Sequence, residues 1–444
     1  MNASILQLVI FLVAGIGIII LLTAKYHVHA FFALLIACFV TGLGVQMQLP
    51  DLINTIKDGF GNIMRSLGLI IVLGTTLGVL LQHTGCTKVM ANFILKKVGE
   101  KNASLAISIT GFIVGLPVFC DSGFIVLSGL NKSLIKRSGN PAAVMSVSLA
   151  SGLYAVHCLI PPHPGAAAAA GTIGVDFGKL IIYGIIIAVP AMLTGHWWAV
   201  YAGRKTKNEI TEEDEIPEDS SSQPAVLHAF LPVIVPILLI AIRSFFTIEN
   251  VSSNNWMNAL LTLGDPVMAL SAGVLLAFTT KRKWNKSSVS ILFNESIEKA
   301  GGILVIIGAG GAFGAVLAAT KIGDHFSGAI NLGSLGILFP FLLTSVLKTA
   351  QGSSTVAIIT SASIVQPLLH ALQLDNETGK LLAVLSMGAG SMMISHANDA
   401  YFWVITKFSG LDMRTTLKVY SVASVLMGVI TMIMVYILSM ILSS

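Results

Sequence analysis

The most chemically suggestive stretch of the chain is a polar run of eight residues, 348–355, between two apolar segments. Serine and threonine are good N-cap residues, and the first turn of a helix presents free backbone N–H groups to an anion. Lysine adds positive charge, glutamine adds an amide, and glycine lets a ligand approach the backbone. We therefore predict that this run binds a small anion. The residues assigned to that role are Lys348, Gln351, Gly352, Ser353, Ser354 and Thr355.

A shorter polar tip, 121–123, lies in a similar apolar setting in the first half of the chain. No basic residue falls between Gly111 and Asn131, and an unpaired ionisable group at membrane depth is costly. We therefore expect Asp121 to carry a proton or to bind an ion. Ser122 and Gly123 are expected to begin a helical arm that faces the substrate. The structural alternative for Asp121 is an interfacial residue or a helix cap.

Two further polar groups interrupt apolar runs at corresponding places in the two halves. Prolines at 161, 162 and 164 must break a helix, because proline lacks a backbone donor and clashes with the preceding turn. The second interruption covers 396–399. Broken helices in equivalent positions point to a midplane binding site in a transporter. Substrate hydroxyls are assigned to Gln351, His163 and Asn398, and proton coupling is assigned to Asp121, Asp399, His157 and His396.

The composition indicates a membrane protein. Hydrophobic residues make up 55% of the 444 residues and charged residues only 11%, whereas soluble domains carry about 25% charged residues. The basic residues are scattered over short loops, which argues against a nucleic-acid surface. The four cysteines have no metal-binding or disulfide-framework spacing. We expect no cofactor and no metal, and the expected partners are the lipid bilayer and a small anionic solute.

The apolar pattern predicts an all-α polytopic membrane protein with two inverted repeats of about five transmembrane helices. The repeats are 1–202 and 226–444, and an acidic cytoplasmic linker, 203–225, joins them. Each repeat contains a re-entrant hairpin and a broken helix. The predicted spans are 4–24, 29–49, 66–83, 141–175, 178–202, 226–248, 263–281, 300–319, 381–408 and 415–442. The predicted hairpins are 103–136 and 329–371, with an interfacial helix at 87–98.

Internal similarity and charge support this arrangement. Gly78 and Gly314 lie in similar contexts, and Asp176 and Asp412 are separated by the same interval as these two glycines. With an odd number of spans in each half, the second half is inverted in the membrane relative to the first. Most basic residues then lie on the same side of the membrane as the linker. This asymmetry follows the positive-inside rule and predicts that both termini lie outside. A group of small residues is interpreted as helix packing rather than a phosphate loop: Gly308, Gly310, Gly311 and Gly314.

Three stretches taken together, 347–357, 160–165 and 395–403, resemble the gluconate permease family of bacterial gluconate:proton symporters. The resemblance covers essentially the whole chain. It implies a place in the ion-transporter superfamily, an elevator-like homodimer and the bacterial inner membrane. It also implies substrates among the small hydroxy acids and amino acids.

The sequence thus predicts a secondary active transporter that imports a gluconate-like sugar acid, or another hydroxy acid, by proton symport. A proton and an anion that enter together cost less desolvation than either alone. One alternative is a sodium-coupled carboxylate or D-amino-acid transporter, in which hairpin carbonyls, Asn398 and Asp399 bind Na⁺. A minor alternative is a polytopic membrane enzyme that uses His157, His163 and His396.

Overall fold

The computed structural model describes residues 5–99, 102–206, 224–248, 259, 261–281, 284–320, 333, 335–396 and 399–442. These residues are almost entirely helical. In the first half the helices are α1 (Ile5–Ile20), α2 (Ala30–Gly44), α3 (Leu49–His83), α4 (Cys86–Val98), α5 (Ala103–Gly115), α6 (Cys120–Ser138), α7 (Ala142–Leu159), α8 (Pro164–Ile173) and α9 (Phe177–Gly203). In the second half they are α10 (Val226–Ile248), α11 (Pro266–Thr279), α12 (Lys286–Ala319), α13 (Leu338–Gln351), α14 (Ser354–Val365), α15 (Glu377–Ser391), α16 (Ala400–Ser409), α17 (Met413–Thr416) and α18 (Val422–Leu442).

Seven helices in the described part of the chain are long and apolar enough to cross a membrane. Shorter apolar helices accompany them, including α2, α5, α11 and α14. The prediction of an all-α polytopic membrane protein is therefore confirmed. The prediction of ten spans counts α2, α11 and the pair α15–α16 as crossings, and it stays a prediction. Most of the predicted linker, 207–223, lies outside the described residues.

The two interrupted runs fold as helix–turn–helix hairpins. The first consists of α5 and α6, and the second consists of α13 and α14. One arm of each is short, since α5 has 13 residues and α14 has 12. A helix needs about 20 residues to cross the bilayer. Such short arms favour the re-entrant interpretation over two full crossings.

Two helices are much longer than the sequence predicted. The predicted spans 66–83 and 300–319 are the C-terminal parts of α3, with 35 residues, and α12, with 34. The N-terminal extensions contain charged residues, so a search for continuous apolar runs did not detect them. They are amphipathic: Leu52, Gly59 and Ile63 of α3 are buried while Asp51 and Asp58 are exposed.

Glycines allow α3 and α12 to pack closely. A methyl group at Gly59 would come within 2.6 Å of the Gly311 carbonyl oxygen, and one at Gly311 would come within 2.3 Å of the Ile63 side chain. Gly310 and Gly314 make similar approaches to α14. The interpretation of this glycine group as a packing surface is confirmed.

Several helices of the second half lie the same number of residues after a helix of the first half as Gly314 lies after Gly78 and Asp412 after Asp176. The first residues of α2, α8 and α9 precede those of α11, α16 and α17, respectively, by this number of residues. The ends of α3 and α8 precede the ends of α12 and α16 by the same interval. The two halves therefore share one helix order. Their inverted orientation in the membrane stays a prediction.

The two aspartates that marked the repeat in the sequence have the same local role. Asp176 accepts a hydrogen bond from the Lys179 backbone N–H at 2.8 Å and begins α9. Asp412 accepts one from the Thr415 backbone N–H at 2.6 Å and begins α17. This bond lowers the pKa of the Asp412 carboxyl. Both carboxylates are N-caps. Asp176 fixes the start of α9, and Asp412 fixes the start of α17, which continues through a π-helical turn, Leu417–Ser421, into α18.

Candidate functional site

The tip of the second hairpin is a tight turn between α13 and α14. Gly352 ends α13 with φ of +80°, a left-handed conformation that favours glycine. The Ser353 hydroxyl accepts a hydrogen bond from the Val356 backbone N–H at 3.3 Å and caps α14. Ser354 is buried and Thr355 is half-buried. The predicted N-cap serine therefore begins the returning arm.

The tip of the first hairpin places a carboxylate at the start of α6. Asp121 lies in the first turn of this helix, and Ser122 beside it is half-buried. The Gly123 backbone N–H donates to the Phe119 carbonyl at 2.8 Å, and a methyl group at Gly123 would come within 2.7 Å of Leu153. Gly123 thus has a packing role, while Asp121 and Ser122 occupy the start of the arm.

The proline break separates α7 from α8. Helix α7 ends at Leu159 and α8 begins at Pro164. His163 is buried, and its Nε2 donates to the Gly115 carbonyl at the end of α5 at 2.6 Å. His157 is also buried, and its Nε2 is hydrogen-bonded to Thr355 Oγ1 at 3.3 Å. The break is therefore attached to both hairpins.

The second break lies between α15 and α16. Asp399 caps α16, because its Oδ1 accepts a hydrogen bond from the Tyr401 backbone N–H at 3.0 Å. His396 Nε2 donates to the Thr349 carbonyl at 3.1 Å. Asn398, assigned to substrate hydroxyls from the sequence, lies outside the described residues.

A buried ion pair joins this break to the second hairpin. Lys348 has no exposed surface, and its Nζ lies 2.7 Å from Asp399 Oδ2 and 2.6 Å from the Gly352 carbonyl oxygen. The Ser395 hydroxyl also donates to Asp399 Oδ2. Asp399 thus accepts three hydrogen bonds, from Lys348, Ser395 and the Tyr401 backbone. The positive charge of Lys348 is balanced inside the protein.

Asp121 differs from Asp399 in having no ion-pair partner among the described residues. Its contact with the Cys120 thiol is long, at 3.9 Å. Asp121 nevertheless lies close enough to Asp399 and Lys348 to interact electrostatically with both. The structure therefore brings together two carboxylates and one lysine that are far apart in the sequence.

The two halves meet at the starts of four helices. Helix α8 packs against α14, since a methyl group at Gly165 would come within 3.3 Å of the Thr355 Cα. Helix α6 packs against α16, where the rings of Phe124 and Tyr401 are 6.2 Å apart. The first backbone N–H groups of a helix lack intrahelical acceptors and attract negative charge. The arrangement can hold an anion between the hairpins and the broken helices.

Two of the predicted site residues have buried polar atoms without hydrogen-bond partners in the described structure. Both amide atoms of Gln351 are in this state, and so is Nδ1 of His157. Buried polar groups are normally hydrogen-bonded, so these atoms favour a ligand that completes their bonds. Hydroxyl groups could serve as donors and acceptors for both side chains.

Several supporting residues were not identified from the sequence. Ser395 orients Asp399, and the Tyr154 hydroxyl donates to the Ser391 carbonyl at 2.9 Å across the two halves. Tyr401 similarly donates to the Ala150 carbonyl at 3.3 Å. Tyrosines in otherwise apolar runs were the signal that could have revealed them. The described residues contain no group of three or more histidine, cysteine or acidic side chains that could hold a metal ion.

Comparison with known proteins gives consistent matches over the whole chain. The family model for "GntP family permease" matches residues 6–441. A gluconate permease of Pseudomonas aeruginosa is 32% identical, covering 97% of this chain and 97% of that protein. The Gnt-II system L-idonate transporter of Escherichia coli is 28% identical, covering 95% and 96%. The solved structure of the Alcanivorax borkumensis YdaH transporter has a TM-score of 0.63 over 88% of this chain and 89% of that one, at 13% identity, which shows a shared fold.

Proposed function

The chain belongs to the GntP permease family, and on that premise we propose that it imports a small organic anion, a gluconate-like sugar acid or another hydroxy acid, by proton symport. Its relatives include proteins named for gluconate and L-idonate transport. Both compounds are sugar acids with one carboxylate and several hydroxyls. The helix starts suit the carboxylate, and the Gln351 amide, which has no hydrogen-bond partner among the described residues, suits the hydroxyls.

The observation that carries the coupling proposal is the presence of two carboxylates around one buried lysine. When Lys348, Asp399 and Asp121 are all ionised, the group carries one net negative charge, which opposes the entry of an anion. One proton makes the group neutral. Anion binding is therefore favoured when that proton is bound, and this linkage is the basis of symport.

We assign the proton to Asp121 rather than to Asp399. Asp399 accepts bonds from Lys348, Ser395 and the Tyr401 backbone, and a proton on Asp399 would leave Lys348 as an uncompensated buried charge. Among the described residues, the side chain of Asp121 has only the long Cys120 contact. His157 and His396 then bind and position neighbouring groups rather than carry the proton.

In this proposal the substrate carboxylate lies at the starts of α6 and α14, near Ser122, Ser353, Ser354 and Thr355. Lys348 contributes its charge at short range and has one N–H beyond the two used by Asp399 and Gly352. The substrate hydroxyls bind Gln351 and the histidine pair, whose rings are 4.9 Å apart. Asn398 completes this group by its position in the sequence.

The test is uptake of radiolabelled gluconate into proteoliposomes under an imposed pH gradient. Wild-type protein should accumulate substrate. Asp121→Asn should lose pH-driven accumulation but keep exchange of internal for external substrate, because binding without proton release remains. Asp58→Asn, an exposed carboxylate of α3, is the matched control and should behave like wild type. Accumulation by Asp121→Asn that still follows the pH gradient contradicts the assignment.

The second candidate is sodium coupling. Asp121 has no ion-pair partner in the described part of the chain, and Na⁺ bound there would neutralise the group equally well. A sodium gradient at fixed pH and membrane voltage separates the two. Proton symport predicts no accumulation under these conditions. We further propose, from the family resemblance, an inner-membrane homodimer with the linker in the cytoplasm.

A further inference from the structure

A cavity of about 610 Å³ lies between α4 and the beginning of α10, remote in sequence from the two hairpin tips. Helix α4 contributes Asn92, Phe93, Lys96 and Lys97 to its wall. The segment 224–226 closes the other side. None of these residues has a role in the proposed transport site.

The cavity wall combines positive charge with apolar surface. Lys96 and Lys97 are both exposed, and the described lining residues include no carboxylate. Helix α10 begins at Val226, so its first backbone N–H groups have no intrahelical acceptors and face the same region. Two ammonium groups and a helix start together favour an anionic group, and a phosphodiester fits both.

The apolar side of the cavity continues onto the outer surface. Phe93 packs edge-to-face against Phe230 of α10 with 5.7 Å between ring centroids. Phe93 is 37% exposed, and Leu227, which follows the lining residue Val226 in the chain, is 69% exposed. Large exposed apolar side chains next to lysines are typical of a surface that contacts the headgroup and upper acyl region of a bilayer.

Helix α4 has the sequence pattern of an interfacial helix. Its buried face includes Met90 and Ile94, whereas Lys88, Asn92 and Lys96 form an exposed stripe with a four-residue spacing. Glycines with positive φ, Gly85 and Gly99, flank it on both sides. Basic pockets between helices at a membrane surface bind anionic lipid headgroups.

We propose that this cavity binds the phosphodiester headgroup of an anionic phospholipid, with Lys96 and Lys97 on the phosphate and Phe93 and Leu227 on the acyl chains. The ligand class is a lipid rather than a soluble phosphate, because the wall is amphipathic and opens next to exposed apolar residues. The bound lipid would hold α4 against α10 and so join the two halves of the chain at this surface.

The experiment measures lipid retention by the purified full-length protein. Native mass spectrometry should show phosphatidylglycerol retained on wild type after delipidation and re-addition, with little retention of phosphatidylcholine. The double variant Lys96→Gln/Lys97→Gln should bind phosphatidylglycerol about tenfold or more weakly, because each lysine contributes to anionic lipid binding. The matched control is Lys136→Gln/Arg137→Gln, a pair of exposed basic residues in the last turn of α6. It should retain lipid as wild type does.

Thermal unfolding provides the second readout. Phosphatidylglycerol should raise the Tm of wild type and of the control variant but not that of Lys96→Gln/Lys97→Gln. Glycerol 3-phosphate and inorganic phosphate should have no such effect. Equal lipid retention by both double variants overturns the proposal. Equal stabilisation by glycerol 3-phosphate also overturns it, in favour of a soluble phosphate ligand.

A competing occupant is the acidic segment 209–219, which lies just before Pro224 in the sequence. A variant with Glu212, Glu213, Asp214 and Glu215 all replaced by glutamine tests it. Unchanged or increased lipid retention supports the lipid proposal. A loss of stability equal to that of Lys96→Gln/Lys97→Gln, independent of added lipid, would identify the segment as the occupant and overturn it.

Discussion

The ammonium group of Lys348 is fully buried. Its positive charge is compensated by the Asp399 carboxylate and by a hydrogen bond to the Gly352 carbonyl. A buried ion pair gains little over a well-packed apolar pair, because both charges have lost their hydration. Removing one partner alone is much more harmful, because the other charge remains buried and uncompensated. The pair is therefore better explained by function than by stability.

This argument predicts the behaviour of substitutions in the pair. Lys348→Met should lower the free energy of unfolding by about 3–5 kcal/mol, because Asp399 loses its counter-charge. The double variant Lys348→Met/Asp399→Asn should recover most of that loss but should not transport. Thermal unfolding in detergent and uptake into proteoliposomes measure the two effects. A double variant that is as unstable as Lys348→Met would contradict the explanation.

For individual residues, the sequence predicted which charged side chains belong to the site but not which of them contact each other. Lys348, Asp399 and Asp121 attracted attention because charges are rare in apolar runs. Their grouping depends on how the two halves pack, and no local pattern carries that information. The hydrogen bond from Ser395 to Asp399 was not predicted for a similar reason. The chain has many serines, and nothing in the sequence distinguishes this one until its neighbour in space is known.

The hairpin turns are the elements that define the site. Gly352→Ala should destabilise the second hairpin by about 1–2 kcal/mol, because alanine is strained at a positive φ. Transport should fall with it, since the start of α14 would shift. Gly129→Ala, in the interior of α6 with open space around it, is the matched control and should be neutral or slightly stabilising. Equal Tm values for the two variants would contradict this prediction.

The α3–α12 contact is a second element with a sharp steric requirement. Gly311→Ala should cost about 1–3 kcal/mol, because the new methyl group would overlap Ile63 and approach the Gly59 carbonyl. Gly301→Ala lies on the same helix with nothing within 4 Å and should not destabilise. Thermal unfolding of the two variants gives a direct comparison. A stable Gly311→Ala would mean that the two helices can move apart at low cost.

Element boundaries were predictable where the chemistry of the backbone dictates them. Proline at 164 and the Asp399 cap set the starts of α8 and α16, and both were expected as breaks. The N-terminal extension of α3, which contains Asp51 and Asp58, was missed because its apolar residues form one face rather than a continuous run. Amphipathic patterns inside a membrane protein are hard to separate from loops without knowing what the apolar face packs against.

For the whole molecule, the predicted five spans per half require that the linker and the two termini lie on opposite sides of the membrane. All four native cysteines are buried, so an introduced cysteine can be labelled selectively. In intact cells, Asn2→Cys and Ser443→Cys should react with a membrane-impermeant maleimide, and Ser221→Cys should react only after the membrane is opened. Labelling of all three positions from the same side would require an even number of spans per half.

The constant interval between the two halves also pairs His163 with Asp399, and these residues immediately precede α8 and α16. Each connects its broken helix to the end of the outgoing hairpin arm, His163 through the Gly115 carbonyl and Asp399 through Lys348. The first half has a histidine–carbonyl hydrogen bond at this position, and the second half has an ion pair. A substitution can therefore change the chemistry of one link while the other still holds its broken helix to its hairpin.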